Sequence, residues 1–542
     1  MSLVRKFATV GAGTMLSRVF GFAREMMMAA ALGTGPVAEA FYAAFQFPNT
    51  FRRLFAEGAF NAAFVPLFAK EIEAGGVEGA KKFSEEVFGV LFTVLLLLTI
   101  AMELAMPFLI RYAIAPGFAE NPAKLLLTTE LAAIMFPYLM CMSLGAMMAG
   151  MLNSLHRYFA AAIAPVFLNI ILVTILVAAW YRGHDGPGVG TMLAWGVMMA
   201  GVVQLGILFF AVRHAGVSIG FRRPRLTKNV RRLLWLALPA AITGGITQIN
   251  TLVGTAIASG KAGAVPSLNL ADRVYQLPLG VVGVAVGVVL LPELARALRS
   301  GHRVEAANLQ NRSVEFTLFL TLPAAAALLT IAEPIVRVLY ERGAFTPQDT
   351  TLVAEVLSVF GIGLPAFVLI KAFTPGFFAR EDTRTPMYFA GLSVIVNISI
   401  ALTLFPAYGA VGIAIAAATA GWINAGLLFG TLAWRGHWTR DAALVKRIPR
   451  LLLASAIMAG ALYFAAGWLG DWLAAASPIY SQASALAVLV AGAMVIYFAT
   501  AFGTGGADMG MIRPGTRAGS CRTSRSKTGS TASASSASTR RS

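Results

Sequence analysis

Charge is scarce in this chain. Lys, Arg, Asp and Glu make up 13% of its 542 residues, and hydrophobic residues make up 58%. A soluble domain carries about a quarter charged residues. The apolar residues fall into runs near the roughly 20 residues that cross a bilayer as helix, which excludes one water-soluble core. The short alternating segments of a transmembrane β-barrel are missing too. What remains is an all-α polytopic membrane protein, because helices satisfy their own backbone hydrogen bonds in lipid. Cysteine is nearly absent. Cys141 in an apolar run and Cys521 in the tail give neither a disulfide framework nor a metal signature. The five histidines, at 156, 184, 214, 302 and 437, sit in or near expected loops and do not cluster, so no metal or other cofactor is expected. No Walker motif offers nucleotide hydrolysis. No Asp-rich run offers the metal and diphosphate site of a membrane glycosyltransferase. The N-terminus lacks a clear cleavage site, and the segment after Arg5 and Lys6 carries Arg18 and Arg24. It reads as a retained first helix and not as a cleaved signal.

About fourteen spans are expected, at 7–32, 37–69, 84–110, 125–153, 159–180, 188–212, 233–259, 266–295, 314–340, 350–379, 386–406, 409–433, 448–469 and 481–503. Spans one, two and eight are interrupted by polar residues. The net charge of +18 fits cytoplasmic loops that collect Lys and Arg better than it fits nucleic acid. With both termini cytoplasmic, inward connections hold Lys70, Lys81, Lys82, Arg157 and the basic stretch from Arg213 to Arg232. Further inward charges run from Arg296 to Arg312, at Arg380 and Arg384, and from Arg435 to Arg450. Outward connections hold only Arg111, Lys124, Arg182, Lys261, Arg337 and Arg342.

An internal repeat pairs 38–71 with 271–298: Ala-Glu-Ala-Phe-Tyr, Pro48 and Lys70 against Ala-Asp-Arg-Val-Tyr, Pro278 and Arg296. Six spans separate the copies, so both run the same way through the membrane. Parallel repeats of this kind place a transporter's substrate site between halves. The expected organisation is an N-terminal lobe over 1–212, a basic linker over 213–232 and a C-terminal lobe over 233–433. Two helices over 448–503 fall outside the repeat. Residues 504–542, rich in Gly, Ser, Thr and Arg, cannot bury enough apolar surface to fold and are expected to be disordered.

Six basic residues fall inside expected spans: Arg18, Arg24, Arg52, Arg53, Arg273 and Lys371. Each costs a few kcal/mol in hydrocarbon and calls for a water-filled cavity or a partner. Arg53 and Glu57 stand four apart and are expected to pair on one helix face. Arg24 is next to Glu25, and Arg273 next to Asp272. Lys371 stands alone and is expected to snorkel. Arg18 and Arg24 are six apart, separated by about 120° around the helix, so both face a cavity only if it is wide. Arg52 lies four residues after Pro48, whose ring bends the helix. Arginines converging from both repeats suit phosphate oxygens bidentately. The expected ligand is a phosphate-bearing anion held by Arg18, Arg24, Arg52 and Arg273.

The segments 15–25, 47–66, 115–118, 271–281, 290–292 and 375–386 resemble the MurJ (MviN) family of bacterial lipid II flippases. The likeness runs over about residues 1–500, and 52–66 is its most specific block. It implies the fourteen-helix fold of the multidrug/oligosaccharidyl-lipid/polysaccharide exporter superfamily. Two six-helix lobes would form a V, with the last two helices shaping a groove for the lipid tail. It implies transport of lipid II, an undecaprenyl diphosphate bearing the muropeptide, across the bacterial inner membrane by alternating access. The cell-wall synthesis machinery would be a partner. The family's cavity arginines match Arg18, Arg24, Arg52 and Arg273, and its acidic residues match Glu25 and Glu39. Some members bind sodium through a carboxylate in helix seven. Span 233–259 here has none, and Asn397 is the one suggestive remnant.

Three other readings stay open. A flippase for another polyprenyl-diphosphate oligosaccharide, of O-antigen type, would need the same cavity. A membrane enzyme acting on diphosphate lipids would need a catalytic base or metal. A non-transporting scaffold would have little reason to keep buried arginines.

Overall fold

The computed structural model describes residues 3–53, 60–183, 186–438 and 441–508, and its long elements are all helices. The first half contains α1 (Leu3–Leu32), α2 (Pro36–Arg52), α3 (Phe60–Leu109), α4 (Pro122–Met135), α5 (Tyr138–Ser154), α6 (Tyr158–Tyr181) and α7 (Pro187–His214). A non-helical strap leads to α8 (Lys228–Ala258) and α9 (Ala264–Arg299). Then come α10 (Arg303–Thr330), α11 (Ala332–Tyr340), α12 (Pro347–Phe378), α13 (Arg384–Tyr408), α14 (Ala410–Trp434), α15 (Ala442–Trp468), one-turn α16 (Gly470–Leu473) and α17 (Ile479–Gly503).

Ten of the described stretches are long and apolar enough to cross a membrane, and eleven if the bent helix α8 counts as one span. The expected spans one, two and eight correspond to α1, α2 and α9 and fall outside that number. Their arginines and other polar residues lower their hydropathy. Several boundaries also differ from expectation. The span expected at 37–69 is α2 plus the opening turns of α3, which continues past a break at Gly76 (φ 61°). The span at 125–153 holds as one stretch, Pro122–Ser154, but is built of two helices, α4 and α5, parted at Pro137, and 314–340 is α10 plus α11. In the last two cases a proline, Pro137 or Pro334, cannot donate to the carbonyl four residues back.

In the first half α1 packs on α6, α6 and α5 on α7, α2 on α4 and α3 on α5. In the second, α12 packs on α9, α10 and α14, and α13 on α14, while α15 joins α10 to α17. Helix α8 bridges α3 and α13, and α2 meets α9 where the halves face each other. The first residues of the expected disordered tail are instead fixed. Arg450 Nη1 donates to the Gly505 carbonyl at 3.1 Å, and Arg447 pairs with Asp508. Residues 509–542 lie outside the described chain.

One end of the contact between halves is sealed by backbone. Ala344 N donates to the Ala30 carbonyl at 2.8 Å. Gly33 and Gly343 both sit at φ +59°, where side chains are disfavoured. A Cβ on Gly343 would stand 2.3 Å from the Ala30 oxygen, and one on Gly33 2.5 Å from the Ala344 oxygen. Thr34 is hydrogen-bonded to Asp349, and Gly117 N donates to Ser259 Oγ at 3.0 Å.

Candidate functional site

Below that sealed end the halves part around a cavity of about 620 Å³. A smaller chamber of about 80 Å³ lies toward the seal. Helix periodicity explains the walls. Positions 18, 21 and 24 of α1 recur every three residues, and 45, 49 and 52 of α2 and 272, 276 and 280 of α9 every three to four. Those spacings put each set on one helix face. Arg18 and Arg24 both line the cavity, as its width allows.

The large cavity is lined by six cations, Arg18, Arg24, Arg52, Arg53, Arg273 and Lys371, and by one carboxylate, Asp272. At 1.5 Å per residue, Arg24 and Arg273 lie about 12–14 Å from the sealed ends of their helices, Arg18 and Arg52 about 21–24 Å, and Lys371 about 36 Å along α12. The positive charge therefore runs as a ladder through the space between the halves. Low-dielectric walls strengthen its field.

The deepest rung is organised around Glu25, which is 2% exposed. Glu25 pairs with Arg24, and Arg273 Nε of α9 stands 3.3 Å from its Oε1. Tyr42 Oη donates to its other oxygen at 2.8 Å. Arg24 Nη1 donates to Asn169 Oδ1 at 3.1 Å, and Asn169 Nδ2 donates to the Ser17 carbonyl, also at 3.1 Å. Arg52 is held from its own helix. Its Nε and Nη2 reach Asn49 Oδ1 at 3.0 and 2.9 Å. Arg18 lies against α9, with Nη1 3.0 Å from where a Gly280 Cβ would stand. Gln276 donates to Asp272 one turn away.

Arg18, Arg24, Arg52 and Arg273 are thus brought together, with Glu25 and Asp272 beside them. Glu39 is elsewhere, at the sealed end. Its carboxylate accepts from Lys124 Nζ at 2.6 Å and from the backbone N–H of Gly263. Glu57 lies outside the described residues, so its pairing with Arg53 has no structural account; Arg53 faces the cavity. Lys371 lines the cavity as well, where a solitary snorkelling lysine was expected. Asn49, Tyr42 and Asn169 were not signalled as holders of the charged groups. Asn169 had a signal, since it is the one amide in the apolar run 158–181. Asn397 donates to Asn250 Oδ1 at 2.8 Å. Among the described residues no three His, Cys, Asp or Glu side chains gather as metal ligands.

Residues 28–481 match the family model described as lipid II flippase MurJ. A probable lipid II flippase MurJ of Rhizobium meliloti is 69% identical over 519 residues, covering 96% of this chain and 97% of that protein. The chain belongs to the lipid II flippase MurJ family. A second MurJ relative, from Rhizobium tropici, is 61% identical over 513 residues, 95% of this chain and 96% of its own. A solved structure of lipid II flippase MurJ in an inward closed conformation superposes with a TM-score of 0.74 at 24% identity, over 91% of this chain and 97% of that one. An inward-facing MATE family multidrug resistance transporter of the MOP superfamily gives 0.65 at 14% identity, over 80% and 98%. These two establish the fold. MurJ proteins are membrane transporters and not enzymes.

Proposed function

We propose that this protein carries lipid II between the leaflets of the bacterial inner membrane, with the diphosphate held by Arg18, Arg24, Arg52 and Arg273. The observation that carries the reading is the cavity itself: six cations against one carboxylate, between two halves sealed at one end. Guanidinium forks match diphosphate oxygens, and a prenyl chain can stay in lipid while the headgroup occupies the cavity. Residues 1–212 and 233–433 act as lobes about the linker 213–232, and the helices of 448–503 form a groove for the lipid tail. With both termini cytoplasmic, the sealed end built by Gly33, Glu39, Gly263 and Gly343 faces outward and the cavity opens inward. Rocking of the lobes would exchange the two ends. Delivery to the cell-wall synthesis machinery would follow on the far side.

Moving one charge through 100 mV is worth about 2.3 kcal/mol. An anion of about two charges leaving an inside-negative cell gains roughly twice that if the arginines stay behind. The test is a leaflet-accessibility assay for lipid II in cells depleted of their own flippase and supplied with this protein. Wild type should restore outward accessibility. Arg24→Ala and Arg52→Ala should insert but fail to restore it, and full activity of both would remove the site. Restoration by a lipid-linked O-antigen assay alone would favour the other polyprenyl-diphosphate cargo.

A further inference from the structure

Between α7 and α8 the chain lies on α3 as a pinned strap. Gly220 N donates to Glu85 Oε1 at 3.3 Å, and Thr227 Oγ1 donates to Glu86 Oε2 at 2.9 Å. Arg222 Nη1 stands 3.7 Å from Glu86 Oε1. The Phe221 ring meets Phe92 edge-on with centroids 5.8 Å apart. At Gly89 the approach is so close that a Cβ would fall 2.2 Å from the Arg222 carbonyl oxygen. These contacts hold the strap flat against the first half.

They also use up the nearby acid. Arg223, Arg225, Lys228, Arg231 and Arg232 are all exposed. None has an ion pair or side-chain hydrogen bond among the described residues. Five cations within ten positions repel one another, and three of them stand in the first turns of α8, where the helix dipole opposes positive charge. Local folding gives no reason for them. Their location does. The strap runs from the end of α7, which is long and apolar enough to cross a membrane, to the start of the bent helix α8, and the end of a spanning helix puts it at headgroup depth whichever way the protein faces. Leu226 and Trp235, 65% and 72% exposed, flank the cations. Interleaved basic and large apolar side chains at a bilayer surface are the pattern of an interfacial lipid contact. No strap residue lines the cavity.

We propose that this strap binds anionic phospholipid headgroups. Arg223, Arg225, Arg231 and Arg232 take the phosphate oxygens, and Leu226 and Trp235 enter the acyl boundary beneath them. A soluble polyanion would use the cations but would not need the apolar pair. The site is separate from the cavity, and its ligand is a bulk lipid of the bilayer.

The experiment uses the full chain in phosphatidylcholine nanodiscs containing a few per cent of brominated phosphatidylglycerol or brominated phosphatidylcholine. The Trp235 signal is taken as the difference between wild type and Trp235→Phe. Brominated phosphatidylglycerol should quench Trp235 several-fold more than the brominated phosphatidylcholine. The combined variant R223Q/R225Q/R231Q/R232Q should lose that preference, and the corresponding four-lysine variant should keep most of it. Equal quenching by both lipids in wild type, or an undiminished preference in the glutamine variant, overturns the proposal. If the glutamine variant does not insert, wild type at low and high salt decides. The preference should shrink as salt rises, and a salt-independent one overturns the proposal. Binding of tRNA or heparin without any lipid preference also overturns it and points to a soluble acidic partner.

Discussion

Arg273 of α9 reaches across the divide to Glu25 of α1, with its Nε 3.3 Å from the carboxylate. The same carboxylate holds Arg24 and accepts from Tyr42. One buried anion therefore ties both halves together on the sealed side of the cavity and occupies two cations that a diphosphate would need. Removing one partner of a buried ion pair is costly because the other charge is left uncompensated, about 3–5 kcal/mol. Glu25→Ala should lower the melting temperature of the purified protein by several degrees and abolish flipping. Arg273→Ala should be milder in stability, because Arg24 still neutralises Glu25, yet equally inactive. Thermal unfolding in detergent beside the leaflet assay separates the two, and an unchanged melting temperature in Glu25→Ala would contradict the arrangement.

Lys371 tests the ladder. It lines the cavity farther from the sealed end than the arginines do and has no partner among the described residues. An approaching anionic headgroup would meet it before the deeper cations. Lys371→Gln should raise the half-saturating lipid II concentration about three- to ten-fold, with little change at saturation. Lys371→Arg should restore most of the loss. Titration of the flipping rate against lipid II in proteoliposomes reads this out. Loss at saturation with unchanged half-saturation would give Lys371 a different role.

The buried arginines were legible because a charge inside an apolar run has so few acceptable places. Arg18, Arg24, Arg52 and Arg273 all line one cavity. Lys371 is not legible in the same way, since a lone lysine with no acidic neighbour in sequence resembles a snorkelling one. The bond from Arg24 to Asn169 is not legible in sequence, because it joins residues 145 positions apart. Glu39, which the resemblance gives only as a supporting acidic residue, sits at the seal, a location that depends on where the N–H of Gly263 ends up. The spans were legible by hydropathy except in α1, α2 and α9, where polar and charged side chains face the space between the halves. The break at Pro137 is not legible because apolar composition continues across it.

The seal depends on two glycines. Gly343 combines φ +59° with a Cβ position 2.3 Å from the Ala30 carbonyl oxygen, which itself accepts from Ala344 N. Alanine there carries a left-handed backbone cost of about 1–2 kcal/mol and pushes the halves apart. Gly343→Ala should shift the population toward an opened seal without unfolding either half. Spin labels at exposed sites near residues 34 and 347 should report a longer or broader distance distribution, and flipping should fall. An unchanged distribution with normal flipping would mean the seal tolerates a side chain there.

Asp382 supplies the pH prediction, in the connection between α12 and α13. Hydrogen bonds from Thr385 Oγ1 at 2.7 Å and Thr385 N at 3.0 Å, and then Arg435 Nη1 at 2.7 Å, hold its carboxyl at about 2. A lowered carboxylate contributes stability that is fully present above its unfolded value, about 3.9. The contribution is lost as pH falls toward the folded value. Wild type should therefore exceed Asp382→Asn in melting temperature by a constant margin from pH 8 to pH 5, and the margin should narrow progressively from about pH 4 toward pH 2. Thr385→Val should shrink the margin more than Arg435→Gln, because it removes the leading hydroxyl hydrogen bond, although the backbone N–H at position 385 still donates. A margin that changes between pH 6 and 8 would show that another group governs this connection.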